Sequence, residues 1–592
     1  MNYTVACYLK ERLEQLGLEQ LFGVAGNYTA PFLDTILEDE KSPIKISGNP
    51  NEICAGYAAD AYARIKGIGA LYVTYSVGAF SLLNTIAGSY TEQVPVVLIN
   101  GAPTNKENSV EHNAGVIYSH TTGYQSVDIH MFRPITAAAE RITNAEQAIY
   151  QIDSALTALI AQKRPVYFEV AEDVWRTPCP KPSAPLNTCA AKSLTVGEEQ
   201  QAAEATWATL HKRGRFIFWA GVELQRYGLE QDFLELLDAV NACRADDQKI
   251  GFVTSALSKS VVSEKHPQFK GCVTLTEDEI HSLVGEDGVI IGIGAWTIGK
   301  DTGNQNIRSE GTVLAAQNGV LVGAKYFPSV SLLAYMQALK SGFNAMAQAD
   351  NQTRLRPLTV ARPTLKAAST KQAELGYDSF FHQLNSWLNK DDILVADAGF
   401  PLIGAQAVEI AEPGGFIAQA SWLAIGYSVA AATGVGCARP DKRSIVVVGD
   451  GSFHETCQAV SDHTAYGQNT VVFILANGIY GIEQYLVNPN PFRQPPTDYP
   501  SRLQNHVYSY NELPKWEFVK LAEAFGSEGR KVATLNELAA VMDEIRDTPQ
   551  RNFVVEVTIP KTNVPLAIAE QAAATVGEDE TDNPNWPPAS KF

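Results

Sequence analysis

Asp450, set between Gly449 and Gly451, and Asn477, twenty-seven positions later, offer two oxygen ligands whose spacing suits a hard divalent cation. Before them, 444–448 (SIVVV) is a short apolar, β-branched run that reads as a strand buried on both faces. Phe453, Cys457 and Val460 then recur at helical spacing, and Gly467 marks the end of that helix. The run 470–476 (TVVFILA) reads as a second buried strand. A strand–helix–strand crossover makes the two strands parallel, so Asp450 and Asn477 meet at their carboxyl ends, the edge where open α/β sheets bind ligands. Beside a glycine turn at a helix N-terminus, two such oxygens suit Mg²⁺ holding a diphosphate. Gly-Asp-Gly alone marks only a tight turn after a strand; its pairing with Asn at the end of the next strand is the specific signal.

A second candidate is Glu52. It stands where the loop GNPN gives way to a helix rich in small residues, EICAGYAADAYAR. Small residues let helices pack closely, and a Glu in a first turn complements the helix dipole.

Around these residues the chain reads as several α/β domains. At 592 residues the length suggests about three to four domains. Hydrophobic content of 45% and charged content of 19% are those of a globular protein with large cores. The net charge of −19, from 46 basic and 65 acidic residues, argues against nucleic acid or an anionic membrane as partner. Eight cysteines lack C-x-x-C or zinc spacing, which points to reduced thiols and a cytoplasmic protein. The first residues are charged and amphipathic, with Val5, Leu9, Leu13 and Leu16 on one helical face, unlike a signal peptide. No apolar run reaches the roughly 18 residues of a membrane span.

Segments 177–197 and 348–376, rich in Pro or small polar residues and without hydrophobic period, read as linkers. Strand-like runs at 70–74, 94–100 and 166–170 alternate with helical patterns in the first third, and runs at 215–219 and 289–293 do so in the middle. The expected fold is three α/β domains with parallel sheets flanked by helices: 1–180, 198–347 and 377–569, followed by an acidic, Pro-containing extension, 570–592.

Over nearly its whole length the chain resembles the thiamine-diphosphate (ThDP) enzymes of the pyruvate decarboxylase and indolepyruvate decarboxylase group. The stretches that carry the likeness are YTVACYLKERLEQLGLEQLFGVAGNY, NEICAGYAADAYARIKG, VTYSVGAFS, ITAAAERI, the Gly-Asp-Gly unit and YNELPKWEFVKLAEAFG, in that order. The resemblance implies a pyrimidine-binding, a central and a diphosphate-binding domain, with each cofactor held between two subunits of a homodimer or homotetramer. It implies that Asp450, Asn477 and the carbonyl of Ile479 hold Mg²⁺, and that Glu52 shares a proton with the cofactor's aminopyrimidine. That proton exchange promotes loss of the thiazolium C2 proton. It also makes Ile425 the aliphatic wedge beneath the cofactor and the Leu423 carbonyl an acceptor from its amino group. Phe400, Ala424, Gly451, Ser452, Tyr480, Gly481 and Ile482 then line the cofactor.

The acid–base residues depart from the family's pattern. Asn27 stands where the family has Asp in AGDY, and Ser119 replaces the first of two histidines, leaving His120. Glu483 matches the family's Glu after the metal-binding Asn. Neither Asn nor Ser exchanges a proton near neutral pH. The implied activity is therefore non-oxidative decarboxylation of a 2-oxo acid through an enamine, using Glu483 and His120. The alternative is carboligation, in which a longer-lived enamine attacks an aldehyde or second oxo acid. Intact Glu52, Asp450, Asn477 and Ile425 weigh against a silent relative kept for its fold, and the central domain shows no dinucleotide signature of an FAD-using oxidase. Leu402 and Ile403, where the family places aromatics, favour an oxo acid bulkier than pyruvate.

Overall fold

A computed structural model describes residues 3–186, 197–242, 244–273, 284–285, 287–297, 311–348, 355–360, 375–493 and 506–569. Residues 187–196 of the first expected linker, 349–354 and 361–374 of the second, and the whole of 570–592 lie outside these residues. The chain forms two compact units. One is Met1–Pro363 with Ile410–Trp422 and Thr433–Pro440; the other is Thr364–Glu409 with Leu423–Ala432 and Asp441–Phe592.

The first unit contains two sheets. Strands β1 (Gln20–Gly23), β2 (Lys45–Gly48), β3 (Gly69–Thr74), β4 (Val96–Ala102), β5 (Ala138–Ile142) and β6 (Val166–Ala171) run in the order β2-β1-β3-β4-β6-β5. All their pairings are parallel. Every residue of β4 and β6 is buried, as the continuous apolar runs require when helices cover both faces. β4 begins two residues later than the apolar run suggests, because Pro95 has no N–H for the ladder. The helix Val5–Gln15 buries Val5, Leu9 and Leu13, while Leu16 forms its C-cap and is only half-buried.

The second sheet contains β7 (Arg215–Ala220), β8 (Phe252–Thr254), β9 (Phe269–Cys272), β10 (Gly288–Ile293), β11 (Thr312–Ala316), β12 (Gly319–Val322), β13 (Lys325–Pro328) and β14 (Arg356–Pro357). Their order is β13-β12-β11-β10-β7-β8-β9, with β14 pairing β7. β7, β8, β9, β10, β11 and β14 pair in parallel, but β11-β12-β13 is an antiparallel meander. Gln317-Asn318 and Gly323-Ala324 leave room only for two-residue turns, which cannot make a parallel crossover.

In the second unit, β15 (Asp392–Ala396), β17 (Arg443–Gly449), β18 (Val471–Ala476), β19 (Glu528–Val532) and β20 (Phe553–Thr558) form the parallel path β15-β17-β18-β20-β19. A further strand, β16 (Phe416–Ala418), belongs by its contacts to the first unit. Arg443, at the start of β17, donates to the carbonyls of Asn469, Ile545 and Arg551, each at 2.8 Å, and so ties three connections to one strand end.

The first unit also buries a charge network. Arg64 Nε lies 2.6 Å from Asp60 Oδ1, and its Nη2 lies 2.9 Å from Glu92 Oε2. Arg64 Nη1 donates to the Ala418 carbonyl, and Ser89 Oγ donates to Asp60 Oδ2. Glu92 Oε1 accepts from the N–H groups of Ser421 (2.7 Å) and Trp422 (2.9 Å). Charges taken out of water survive only when paired and hydrogen-bonded, and this set is both. Arg64→Ala should therefore destabilise the protein by about 3–5 kcal/mol, since it strands two buried carboxylates. Denaturant unfolding followed by fluorescence measures this, and a loss below about 1 kcal/mol would show that the network is dispensable.

Candidate functional site

Gly449 of β17 lies opposite Leu475 of β18, so Asp450 and Asn477 emerge together just past the carboxyl ends of the two strands. The two strand ends are joined directly. Asp450 Oδ2 accepts from the Gly478 N–H at 2.7 Å, and Oδ1 from the Gly451 N–H at 3.0 Å. Asn477 Nδ2 donates to the Tyr377 hydroxyl at 3.2 Å, and its Oδ1 accepts from the Ile479 N–H at 3.2 Å. Asp450, Asn477 and Tyr377 are all buried. Burial pushes the Asp450 carboxyl up to about 6, against the pull of its Gly478 and Gly451 hydrogen bonds. Gly478 turns the chain at φ +77 with no neighbour in the space a Cβ would take, a conformation that favours glycine.

The Asp450 carboxylate, the Asn477 amide oxygen and the carbonyl of buried Ile479, two residues further on, are oxygen donors of the kind that Mg²⁺ takes. Among the described residues no three His, Cys, Asp or Glu side chains gather as a metal cluster. The helical run after Asp450 is broken into Asp450–Thr456, a 3₁₀ turn Cys457–Ala459, and Val460–Ala465. Thr456 leaves helical geometry there (φ −138°), and its hydroxyl donates to the Gly426 carbonyl at 2.6 Å.

The other expected residues of this unit surround that edge unevenly. Gly451 and Ser452 are buried in the first turn after Asp450, and a Cβ on Gly451 would stand 2.5 Å from the Tyr480 ring. Phe400 is buried and packs edge-on against Tyr377, with ring centroids 5.4 Å apart. Gly481, Ile482 and Glu483 open the helix Gly481–Val487; Gly481 is buried, Ile482 half-buried and Glu483 exposed. Leu402 is buried and Ile403 half-buried. On the loop before the helix Tyr427–Ala438, Leu423 adopts a left-handed φ of +57°, Ala424 is half-buried, and Leu423 and Ile425 are 49% and 39% exposed.

The residue that holds this loop escaped the sequence reading. Asp397, fully buried just past the end of β15, accepts from the Gly426 N–H (3.1 Å), the Ser428 N–H (2.8 Å) and the Ser428 hydroxyl (2.7 Å). Burial raises its carboxyl above the usual range, while these donors and the Ser452 hydroxyl pull it back. The available signal was an acidic residue followed by Ala-Gly at the end of an apolar run, which repeats the logic of Gly449-Asp450-Gly451.

In the first unit, Glu52 is the first residue of the helix Glu52–Lys66, capped by Asn51, whose side chain accepts from the Cys54 N–H at 2.8 Å. Glu52 is half-buried, and a Cβ on Gly78 would come within 3.3 Å of its Oε1. Asn27, Ser119 and His120 are exposed, and a pair of tyrosines gathers them. Asn27 hydrogen-bonds the Tyr28 phenol, whose ring packs edge-on against Tyr75 with centroids 5.6 Å apart. Tyr75 donates to the Ser119 carbonyl and lies 6.1 Å, ring to ring, from His120, which has a left-handed φ of +74°. Beside Tyr75, Ser76 is also left-handed (φ +49°), with its N–H and hydroxyl held by buried Asp128 at 2.6 and 2.8 Å. Tyr75 and Asp128 were not singled out from the sequence, because nothing in residue type or period separates them from core positions.

Glu52, Asn27, Ser119 and His120 thus belong to the first unit, and Asp450, Asn477, Ile425 and Glu483 to the second. Residues 3–128 match the N-terminal TPP binding domain of thiamine pyrophosphate enzymes, and residues 397–557 match their C-terminal TPP binding domain. The chain is 29% identical to a probable pyruvate decarboxylase of Schizosaccharomyces pombe, over 90% of this chain and 89% of that protein. It carries both TPP binding domains of the thiamine pyrophosphate enzymes. Other similar proteins are an alpha-keto-acid decarboxylase of Mycobacterium leprae, at 28% identity over 99% of this chain and 98% of that one, and pyruvate decarboxylase isozyme 1 of Saccharomyces cerevisiae, at 26% over 97% and 98%. The two matched domains include every expected site residue, from Asn27 to Glu483.

Proposed function

We propose that the chain is a Mg²⁺- and thiamine-diphosphate-dependent, non-oxidative 2-oxo acid decarboxylase, active as a homo-oligomer of at least two copies. The observation that carries this is the junction of Asp450 and Asn477 at the edges of two parallel strands, inside a matched cofactor domain. Bound thiamine diphosphate supplies a nucleophilic carbon that adds to the oxo group and stabilises the charge left when CO₂ departs. Asp450, Asn477 and the Ile479 carbonyl hold the cation, and Gly451 and Ser452 at the adjoining helix start receive the diphosphate. Glu52 holds a proton for the pyrimidine ring. Ile425 and the Leu423 carbonyl support the cofactor from the exposed loop. His120 and Glu483 handle the proton that ends turnover. Both are exposed in the single chain, which fits a site completed by a second copy.

The neutral side chains of Asn27 and Ser119 favour a second reading, carboligation. With these two unable to deliver a proton near neutral pH, release of free aldehyde would be slowed, and an acyloin would form when a second carbonyl compound is present.

The two readings lead to separate tests. The folded Asp450 carboxyl keeps its proton up to about 6, so protons compete with the cation below that pH and not above it. Cofactor retention on gel filtration, measured by thiochrome fluorescence, should be full above neutral pH. The apparent Mg²⁺ affinity should then fall about fivefold between pH 6 and 5. Asp450→Ala should retain no cofactor at any pH, and retention indifferent to both pH and this substitution would overturn the assignment. For the second reading, Asn27→Asp combined with Ser119→His should move product from acyloin toward free aldehyde. The expected shift is up to about 10²–10⁴-fold, the usual contribution of a positioned acid–base group. An unchanged product ratio in a folded, cofactor-loaded double variant leaves the plain decarboxylase.

A further inference from the structure

We infer that Asp397 is a positioning residue for the cofactor: it fixes the loop that carries Leu423 and Ile425, and so keeps Ile425 presented to the bound thiamine ring system. This rests on the reading above, in which Ile425 supports the cofactor.

The loop has the marks of a segment held against its preferences. Leu423 is a non-glycine residue at φ +57, and both Leu423 and Ile425 expose large aliphatic side chains. Such a conformation persists only where the surroundings over-determine it. Three contacts do so from the C-terminal side. Both Asp397 oxygens are taken up, Oδ1 by the Gly426 N–H and Oδ2 by the Ser428 N–H and hydroxyl. The Gly426 carbonyl accepts from Thr456, and a Cβ on Gly426 would meet Glu455 at 2.7 Å and the Ser452 carbonyl at 3.2 Å. The loop end is therefore clamped between Asp397 and the helix that begins with Asp450. Asp397 also hydrogen-bonds Ser452 of that helix, so one carboxylate ties the loop to the helix that carries the diphosphate site.

The chemistry requires a carboxylate here. Each oxygen faces a backbone N–H that cannot turn away. An asparagine in the same place must aim its NH₂ at one of those donors whichever way the amide is flipped. Burying an ion costs stability, and only the matched donors offset it. A plain helix cap for Tyr427–Ala438 would need one acceptor, whereas Asp397 uses both oxygens and reaches a second helix.

The test uses the full chain with thiamine diphosphate and Mg²⁺. Asp397→Asn should leave the dissociation constant for thiamine diphosphate within about threefold, because the diphosphate ligands are untouched, while C2-proton exchange of the bound cofactor into deuterated water slows at least about tenfold. kcat should fall in parallel with little change in KM, as expected for a misaligned cofactor. Amide exchange at 423–428 in the cofactor-free protein should speed up at least about tenfold, a readout independent of turnover. Ser428→Ala removes one of the donors and should give the same pattern at about threefold, and it carries the test if Asp397→Asn does not fold. Wild-type C2 exchange in folded, loaded Asp397→Asn, or unchanged amide exchange in both variants, would overturn the inference. A wild type that binds no thiamine diphosphate would instead overturn the functional reading on which it rests, whatever the amide data show.

Discussion

The parallel pairing of β17 with β18 is the constraint on which the candidate site depends. Because Gly449 lies opposite Leu475, the residues that follow each strand leave the sheet at one edge, and Asp450 bonds directly to the Gly478 N–H. Shifting the register by one residue would reverse the faces of a fully buried apolar strand and also separate the two oxygen ligands. The hydrophobic pattern that stabilises the sheet and the alignment that makes a cation site are thus enforced by the same register.

A second device recurs at three places. Buried carboxyl groups accept from backbone N–H groups of short turns near the expected site residues. Asp128 does this for Ser76, beside Tyr75 and its bond to Ser119. Glu92 does it for Ser421 and Trp422, and Asp397 for Gly426 and Ser428. In each unit, turns with left-handed or exposed residues are held by a carboxyl group buried from solvent. The cost of burying each charge is offset by donors that have no other orientation, so loops acquire the precision usually reserved for strands and helices.

Much of this was legible in residue order. Periodicity and β-branching identified β17 and β18, and the crossover rule brought Asp450 and Asn477 together without reference to any relative. Glu52 was visible as the first residue of a small-residue helix. Other features depended on contacts distant in sequence. Asp397 and Gly426 are separated by a short helix, a strand and a loop, so no local period reveals their bond. Tyr75 looks like any aromatic after a buried strand until its hydroxyl reaches Ser119. The break at Thr456 comes from a hydroxyl finding a distant carbonyl, a tertiary choice that helical spacing cannot foretell. The meander of β11, β12 and β13 lay in short connections that strand counting alone passes over. Exposure of Asn27, His120 and Glu483 is likewise a property of the folded chain and not of its order.

The central claim is that this chain removes CO₂ from a 2-oxo acid by means of thiamine diphosphate held through Asp450 and Asn477. The most direct measurement is CO₂ release from a panel of linear, branched and aromatic 2-oxo acids, with and without thiamine diphosphate and Mg²⁺, in the wild type and in Asp450→Ala. The account predicts release from at least one of these acids that needs both additions and vanishes in the variant. Release that persists without the cofactor or in the variant, or a cofactor-loaded wild type that decarboxylates none of the panel, would contradict it.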